Sequence, residues 1–493
     1  MFVRLSWPVA SDFPLNDGGF FSVMVRDLQA NHFALPWYTS FNSAHIPFAY
    51  PPLAFYLAAV VEYVTPWSLG DIFRLMPAII TCLTLPAFYA LAREIHDSRQ
   101  TAGFALWAFA LLPQAYRWFI MGGGVTRSLG FLFALLALRQ AYLLYTRGEG
   151  QRVVVGCVFA ALTLLSHPPA FWFLAYSIGG MILFFGRSRQ GIVHSLLLAG
   201  GTLLVASPWL ITVIVRHGDV LLRTLVDSGT RWYGGLAHLV LLEISDEPLA
   251  PLLAVIGLLG LLLCLVERRF FLPVWLLLAY LFDSRVPNWY ATIPLALLAG
   301  MGATGVLIPL LTRQQKTLGR DLLVAAVVGF LLLYTIFAAL VLPAPMLSLP
   351  SEEREAMHWV ADNTPEASTV LVVSYVRWPW DRSCEWLPVL GQRPCVNLVQ
   401  GYEWLPGFSD RVDQHDALLE CSGSAEDCLG QWSSEYGVSF SHVFVPKWPL
   451  DRTAAIPPPI QSPAAMIRSL DADPGYRLVY DGPGAVVYST LDE

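Results

Sequence analysis

Charge is scarce in this chain. Asp, Glu, Lys and Arg make up 14% of its 493 residues, against 55% hydrophobic side chains and a mean hydropathy of +0.54. So little charge excludes an ordinary soluble globular protein. No C-x-x-C spacing occurs among the cysteines, which argues against a zinc site. There is no P-loop pattern and no internal repeat of fixed period. The opening MFVRLSWPVA is too short and too broken for the apolar core of a cleavable signal.

What is present is a succession of apolar runs between residues 50 and 342, separated by short polar clusters. This is the pattern of a polytopic helical membrane protein. The runs predict spans over 72–92, 102–120, 126–145, 152–166, 168–186, 192–215, 248–266, 270–282, 289–311 and 321–342. Residues 50–66 form a further segment that carries Glu62 and is short for a span, which needs about 20 residues. Bases cluster at Arg93/Arg99, Arg147/Arg152, Arg187/Arg189, Arg268/Arg269 and Arg313/Lys316/Arg320. Positive loops face the cytoplasm, so 121–126, 166–169, 216–247 and 283–288 are expected on the other side, together with everything after 343.

The balance of charge changes near residue 345. Residues 1–344 hold 16 acids and 21 bases, a net +5, whereas the rest holds 21 acids and 9 bases, a net −12. The predicted organisation is an extracytoplasmic first loop over 1–49, a transmembrane region of about 10–11 helices over 50–342, and an acidic soluble domain over 343–493, a normal size for one domain. That last part predicts a helix over 351–363, strands at 369–374, 442–445, 477–480 and 485–489, and a stiff linker at 456–459. The expected fold class is mainly α and polytopic, with a C-terminal soluble α/β domain. Cys82, Cys157 and Cys264 lie in apolar runs and read as core thiols. The other four cysteines all lie in the tail, where an even number suggests two disulfides and an oxidising compartment; three pairings are possible, and the local one, Cys384–Cys395 with Cys421–Cys428, is the expectation.

The stretch from Ser11 to Leu53 is polar and aromatic at the head of an otherwise apolar chain. It includes Asp12, Asp17 and His45, and a probable amphipathic helix over 20–33 whose Asp27 is expected on a solvated face. Asp17 sits in Asn16-Asp17-Gly18-Gly19, which is strong turn chemistry. It also suits a carboxylate base outside the bilayer, with Asp12 as its competitor. Arg127 follows Gly122-Gly123-Gly124, and glycine-exposed amides beside an arginine suggest a phosphate site. Arg285, in Asp283-Ser284-Arg285-Val286-Pro287, pairs either with Asp283 or with a lipid phosphate. His167 precedes Pro168-Pro169 at an outer turn, and His217 and Arg231 also fall on the outer face. The tail carries Trp378, Trp380 and Asp381, then Glu385-Trp386 and Glu403-Trp404, a mixture able to hold sugar rings.

Taken together, Asn16-Asp17-Gly18-Gly19, the stretch Tyr50-Pro51-Pro52-Leu53, Arg285 ahead of the run Pro294 to Gly300, and a soluble domain after the last span resemble the GT-C superfamily of membrane glycosyltransferases, within a bacterial branch. The superfamily includes oligosaccharyltransferases, protein O-mannosyltransferases and lipid A aminoarabinose transferases. The resemblance implies a helical GT-C-like bundle in the cytoplasmic membrane and a polyprenyl-phosphate-linked sugar donor. It implies a glycan, lipid or protein acceptor, and no nucleic acid. Asp17 then matches the first-loop base, with Asp12 as alternate, and Arg285, with Arg127, the donor-phosphate site. His45, His167, Trp378, Trp380, Asp381 and Glu385 are the acceptor or sugar candidates. The resemblance also implies a span ahead of the first loop, for which residues 1–10 are too short. No metal ligands stand out, and a divalent cation is compatible with the resemblance. The competing class is a transporter or lipid flippase with an outer lid, which usually shows inverted repeats and intramembrane charges; a catalytically dead scaffold is a third.

Overall fold

The computed structural model describes residues 1–220, 234–241, 243–283, 285–312, 317–341, 347–374, 376–421, 428–447 and 463–491. Expected features at Ser284, Arg231, the Arg313/Lys316 cluster and the 456–459 linker lie outside them. The chain opens on α1 (Phe2–Ala10) and α2 (Gly19–Ala30). The apolar region is α3 (Leu53–Val64), α4 (Leu69–Ile95), α5 (Arg99–Leu111), α6 (Gly124–Arg147), α7 (Arg152–Leu164), α8 (Pro168–Phe185), α9 (Arg189–His217), α10 (Gly234–Val240), α11 (Leu252–Val266), α12 (Phe271–Phe282), α13 (Pro287–Thr312) and α14 (Thr317–Val341). Six helices among the described residues are long and apolar enough to cross a membrane, and α3, α7, α11 and α12 are shorter apolar helices.

Local chemistry sets the ends of these helices. Ser68, Ser98 and Ser188 each accept a backbone N–H in the first turn of α4, α5 and α9. His167 does the same for α8, whose first two residues are Pro168 and Pro169. One expected span is shorter than its apolar run. Helix α5 stops at Leu111 rather than near 120, because Pro113 forces Leu112 out of the helical region (φ −61°, ψ 118°). Residues 113–119 then make two 3₁₀ turns, which place Trp118 and Arg127 together beyond the helix ends. The expected amphipathic helix exists as α2, but Phe20, Phe21, Met24, Val25 and Leu28 are all buried. Asp27 is not simply solvated: it accepts from Thr39 Oγ1 at 2.6 Å and from Ser40 N at 2.9 Å.

The bundle packs α4 on α6, α6 on α7, and α13 against both α5 and α11. Helices α11 and α13 touch backbone to backbone. A Cβ on Gly260 would lie 1.9 Å from the Leu298 carbonyl oxygen, and one on Gly302 would lie 2.0 Å from that of Ile256. This contact holds α13 rigidly, and Arg285 stands just ahead of its first turn.

The tail contributes α15 (Ser351–Asn363), β1 (Val370–Val372), α16 (Arg382–Leu390), α17 (Phe408–Cys421), α18 (Cys428–Tyr436), β2 (His442–Pro446), α19 (Pro463–Ala472), β3 (Tyr476–Asp481) and β4 (Ala485–Thr490). The four strands form one mixed sheet in the order β1-β2-β4-β3, with β1 parallel to β2 and the other pairs antiparallel. One hydrophobic core lies within the helical bundle. A second runs without a break from Phe20, Phe21 and Phe55 through Phe73 to Met357, Val372, Trp386 and Val487. The first loop is therefore the floor of the tail. Asn42 fixes the junction with two bonds to one residue, donating to the Cys395 carbonyl at 3.1 Å and accepting from its N–H at 2.7 Å.

The tail holds the two expected local disulfides, Cys384–Cys395 and Cys421–Cys428, while Cys82, Cys157 and Cys264 are free and buried. Alkylation of the denatured protein without reductant is accordingly expected to label three thiols, and all seven after reduction. Mass spectrometry reads the difference. Labelling of more than three before reduction would rule this pairing out.

Candidate active site

The site is built around a tight turn, residues 15–20. Its backbone takes positive φ at Asn16 (52°) and at Gly18 (122°), the second accessible at little cost only to glycine. The turn presses onto the start of α6. Gly122 N–H donates to the Leu15 carbonyl at 2.9 Å. Gly123 N–H donates to Asp17 Oδ1 at 2.8 Å, and Arg127 Nη2 donates to Asp17 Oδ2 at 2.8 Å. A Cβ on Gly123 would sit 2.6 Å from Asp17 Oδ2, and one on Gly122 1.9 Å from the Asp17 backbone carbonyl oxygen, so these two glycines make room for Asp17. Both charged side chains are nearly enclosed, Arg127 at 12% and Asp17 at 11% exposure. Arg127 is held in turn by the Trp118 carbonyl, which accepts from Nε at 2.9 Å. The anion pocket suggested by Gly122-Gly123-Gly124 and Arg127 is real in geometry, since a helix N-terminus favours negative charge. Its occupant is the chain's own Asp17.

The tail grips the other side of the same turn. Asn16 N–H donates to the Leu347 carbonyl at 3.0 Å, Asn16 Nδ2 donates to the Pro379 carbonyl at 3.0 Å, and the Asn16 carbonyl accepts from Trp386 Nε1 at 3.1 Å. Glu385 Oε1 accepts from Gly18 N at 2.9 Å and from Phe20 N at 3.3 Å, satisfying amides at the start of α2. Burial and the neighbouring Asp17 charge push the Glu385 carboxyl up to about 8, against the pull of Arg127 and the two amides.

Arg285 lies just ahead of α13, near enough to the site for its charge, like that of Arg127, to reach Tyr50 and His167. Asp283 is not its ion-pair partner. Its Oδ1 accepts instead from the backbone N–H groups of Arg285 and Val286, at 3.1 and 2.8 Å, closing the N-terminus of α13. The Arg285 side chain is exposed and has no hydrogen bond or ion pair among the described residues. Its charge acts on Glu403, Tyr50 and His167. Burial raises Glu403 and Arg285 opposes that rise. Tyr50 Oη lies 3.2 Å from Thr126 Oγ1, one residue from Arg127. Leu53 N–H donates to the Leu165 carbonyl at 3.0 Å, which ties the Pro-Pro stretch to the His167 turn. A cluster of aromatic rings also joins the parts: the Trp118 ring lies 4.4 Å from Trp380 and 5.5 Å from Trp289. Trp118 and Trp289 carry no sequence signal that marks them out from the chain's many other aromatics.

The remaining candidates separate. Asp12 is an exposed carboxylate paired with Arg354 of α15, while Asp17 is the enclosed one. His45 is exposed and its ring stands 5.6 Å from Tyr38, which also packs on His217 at 5.5 Å. His167 is buried, and its Nδ1 accepts from Ala170 N at 3.3 Å; that bond puts any ring proton on Nε2. Trp378 packs edge-on against Phe408 at 5.9 Å. Asp381 is closed off from solvent. It caps α16 by accepting from Cys384 N at 3.0 Å, and it stands 3.8 Å from His415 Nε2. Glu385 is likewise turned onto the first loop rather than toward solvent. Among the described residues no three His, Cys, Asp or Glu side chains converge as metal ligands. Both Asp17 oxygens already face N–H donors, one of them cationic. This donor set does not fit a divalent ion.

The Glu385 carboxyl has an ordinary value of 4.5 and a folded value of about 8. Between these, the folded chain keeps a proton that the unfolded chain has lost, so this group lowers stability as pH rises across that window. The effect is at most about 1.4 kcal/mol per pH unit. Thermal unfolding of the detergent-solubilised protein is expected to show Glu385→Gln gaining on wild type from pH 5 to pH 8. Parallel curves would remove the buried proton.

No family model matches this sequence, and no curated protein does. Solved structures match it throughout. The arabinofuranosyltransferase AftD from Mycobacteria superposes with a TM-score of 0.59 at 17% identity, over 100% of this chain and 39% of its own. The oligosaccharyltransferase AglB from Archaeoglobus fulgidus, in complex with an inhibitory peptide and a dolichol-phosphate, gives 0.60 at 14% identity, over 90% of this chain and 67% of its own. ArnT from Cupriavidus metallidurans, bound to undecaprenyl phosphate, gives 0.54 at 13% identity, over 100% and 96%. The chain thus spans 39% of the length of the mycobacterial enzyme and nearly all of ArnT. The fold of this polytopic membrane protein is that of the GT-C glycosyltransferases.

Proposed function

We propose that the protein is a membrane glycosyltransferase that moves a sugar from a polyprenyl-phosphate-linked donor to an extracytoplasmic acceptor, which is a lipid, a glycan or a protein. One observation carries the reading. An enclosed carboxylate, Asp17, is held by Gly123 and Arg127 on the same side as an exposed arginine, Arg285, whose side chain has no protein partner among the described residues. Base and anion binder are what this reaction needs. The two solved neighbours with polyprenyl phosphates bound, AglB and ArnT, are consistent with such a donor.

In this reading the donor phosphate lies against Arg285, whose planar fork suits phosphate oxygens. The acceptor O–H or N–H attacks the anomeric carbon, and the bond from that carbon to the phosphate oxygen breaks. The electron pair leaves with the polyprenyl phosphate, and the acceptor proton passes to Asp17. Phosphate leaves as a stable anion, so no general acid is required. Arg127 and the Gly123 amide keep Asp17 in one orientation, the element of proximity that accounts for much of enzymatic rate enhancement. The basic-loop pattern and the tail disulfides support placing this outer face, and the tail with it, outside the cytoplasmic membrane.

Asp17→Asn is expected to keep the turn, since both residues favour it, and to lower transfer by about 10²–10⁴-fold, the usual worth of a general base. Asp12→Asn is expected to be nearly silent. The assay uses membranes, a labelled polyprenyl-phosphate sugar and a check on protein level; full activity of Asp17→Asn would remove the base. Arg285→Ala is expected to weaken donor binding, with Arg285→Lys rescuing only part of it. Unchanged donor affinity in Arg285→Ala would make this arginine structural.

A further inference from the structure

The membrane side of the Asp17 turn is a helix N-terminus, but its other side is made by the tail, roughly 330–370 residues away in sequence. Five hydrogen bonds cross that junction between residues 16–20 and the tail: three from Asn16, through Leu347, Pro379 and Trp386, and two into Glu385. Space is equally tight. A Cβ on Gly19 would lie 2.9 Å from the Glu385 carbonyl oxygen and 3.3 Å from its Cγ. Phe13 closes the edge, its ring 4.6 Å from Trp386. The helix carrying Glu385 is itself tethered, because Cys384 is bonded to Cys395, whose backbone pairs with Asn42 of the first loop.

Burial beside Asp17 keeps the Glu385 carboxyl largely protonated at neutral pH. An apolar residue at 385 would leave the Gly18 and Phe20 amides without this acceptor. What Glu385 does is satisfy the two amides that flank the Asp17–Gly19 bend. We propose that Glu385 is a positioning residue for Asp17: it clamps the Gly18 and Phe20 amides from the tail, so that the tail completes the reaction site and does more than cover it. The proposal rests on the reading of Asp17 as base. Asp17 leaves the turn pointing at Gly123 only while Gly18 keeps its positive φ, and the Glu385 bond to Gly18 N–H holds that peptide plane. Only an acceptor is needed at 385, so a neutral amide oxygen serves as well as a carboxylate.

The test compares Glu385→Gln, Glu385→Ala and Glu385→Asp in the full-length protein. Hydrogen exchange of the peptide covering residues 16–20 is read alongside transfer kinetics. Glu385→Gln is expected to match wild type in exchange and to keep kcat within about 3-fold. Glu385→Ala is expected to exchange at least 10-fold faster there. Its kcat is expected to fall about 10–100-fold with the donor KM little changed, the cost of a reacting group displaced by about 1 Å. If Glu385→Ala fails to accumulate, Glu385→Asp withdraws the acceptor by one methylene and is expected to show the same split more weakly. Unchanged exchange in the Ala and Asp variants would overturn the clamp, and so would a Gln variant as impaired as Ala. Exchange that responds as expected while Asp17→Asn keeps full transfer would leave the clamp standing and remove Asp17 as the base.

Discussion

The structure turns on one enclosed carboxylate. Asp17 sits at the N-terminus of α6 between the Gly123 amide and the Arg127 guanidinium. An ion pair this enclosed depends on both members, and removing either leaves a charge without a partner, at a cost of about 3–5 kcal/mol. Much of the surrounding design follows from admitting it. Gly122 and Gly123 clear space for Asp17, the 3₁₀ turns after the shortened α5 supply the Trp118 carbonyl that holds Arg127, and the bend at Gly18 turns the carboxylate inward.

That constraint also explains why the first loop and the tail share a core. A turn with positive φ at two of three successive residues does not persist alone, because its backbone conformation is strained outside glycine. Here it is held from below by the bundle and from above by Leu347, Pro379, Glu385 and Trp386. The apolar residues of α2 add to the grip, since Phe20, Met24 and Leu28 are buried between α3 and the tail. Rigidity at this turn fixes the Asp17 carboxylate in one orientation. Arg285 is the opposite case. It is exposed, and Asp283, the obvious partner, is committed to the backbone of α13.

Much of the fold was legible in order. Apolar runs and their flanking bases mark the helices, since the bilayer admits little besides helix. Alternating β-branched runs mark the four strands to within two residues. The errors have local causes. The run over 102–120 is apolar throughout, yet Pro113 ends its helix at Leu111. Asp27 looked solvated because nothing in α2 itself announces the hydroxyls of Thr39 and Ser40 that meet it.

For the site, the sequence by itself determined which residues have the right chemistry: an acid in a glycine turn, an arginine after three glycines, another arginine before a proline-capped helix, and four cysteines gathered in the tail. Only the tertiary structure decided which of them meet. It chose Asp17 over Asp12 as the enclosed carboxylate, filled the glycine-rich anion pocket with that carboxylate, and buried Asp381 and Glu385 as caps. The reason is physical. Helix ends and disulfides of short loops are set by neighbours in sequence, whereas the field at a carboxylate is set by whatever packs against it, here Arg127 and Glu385, at separations of 110 and about 370 residues.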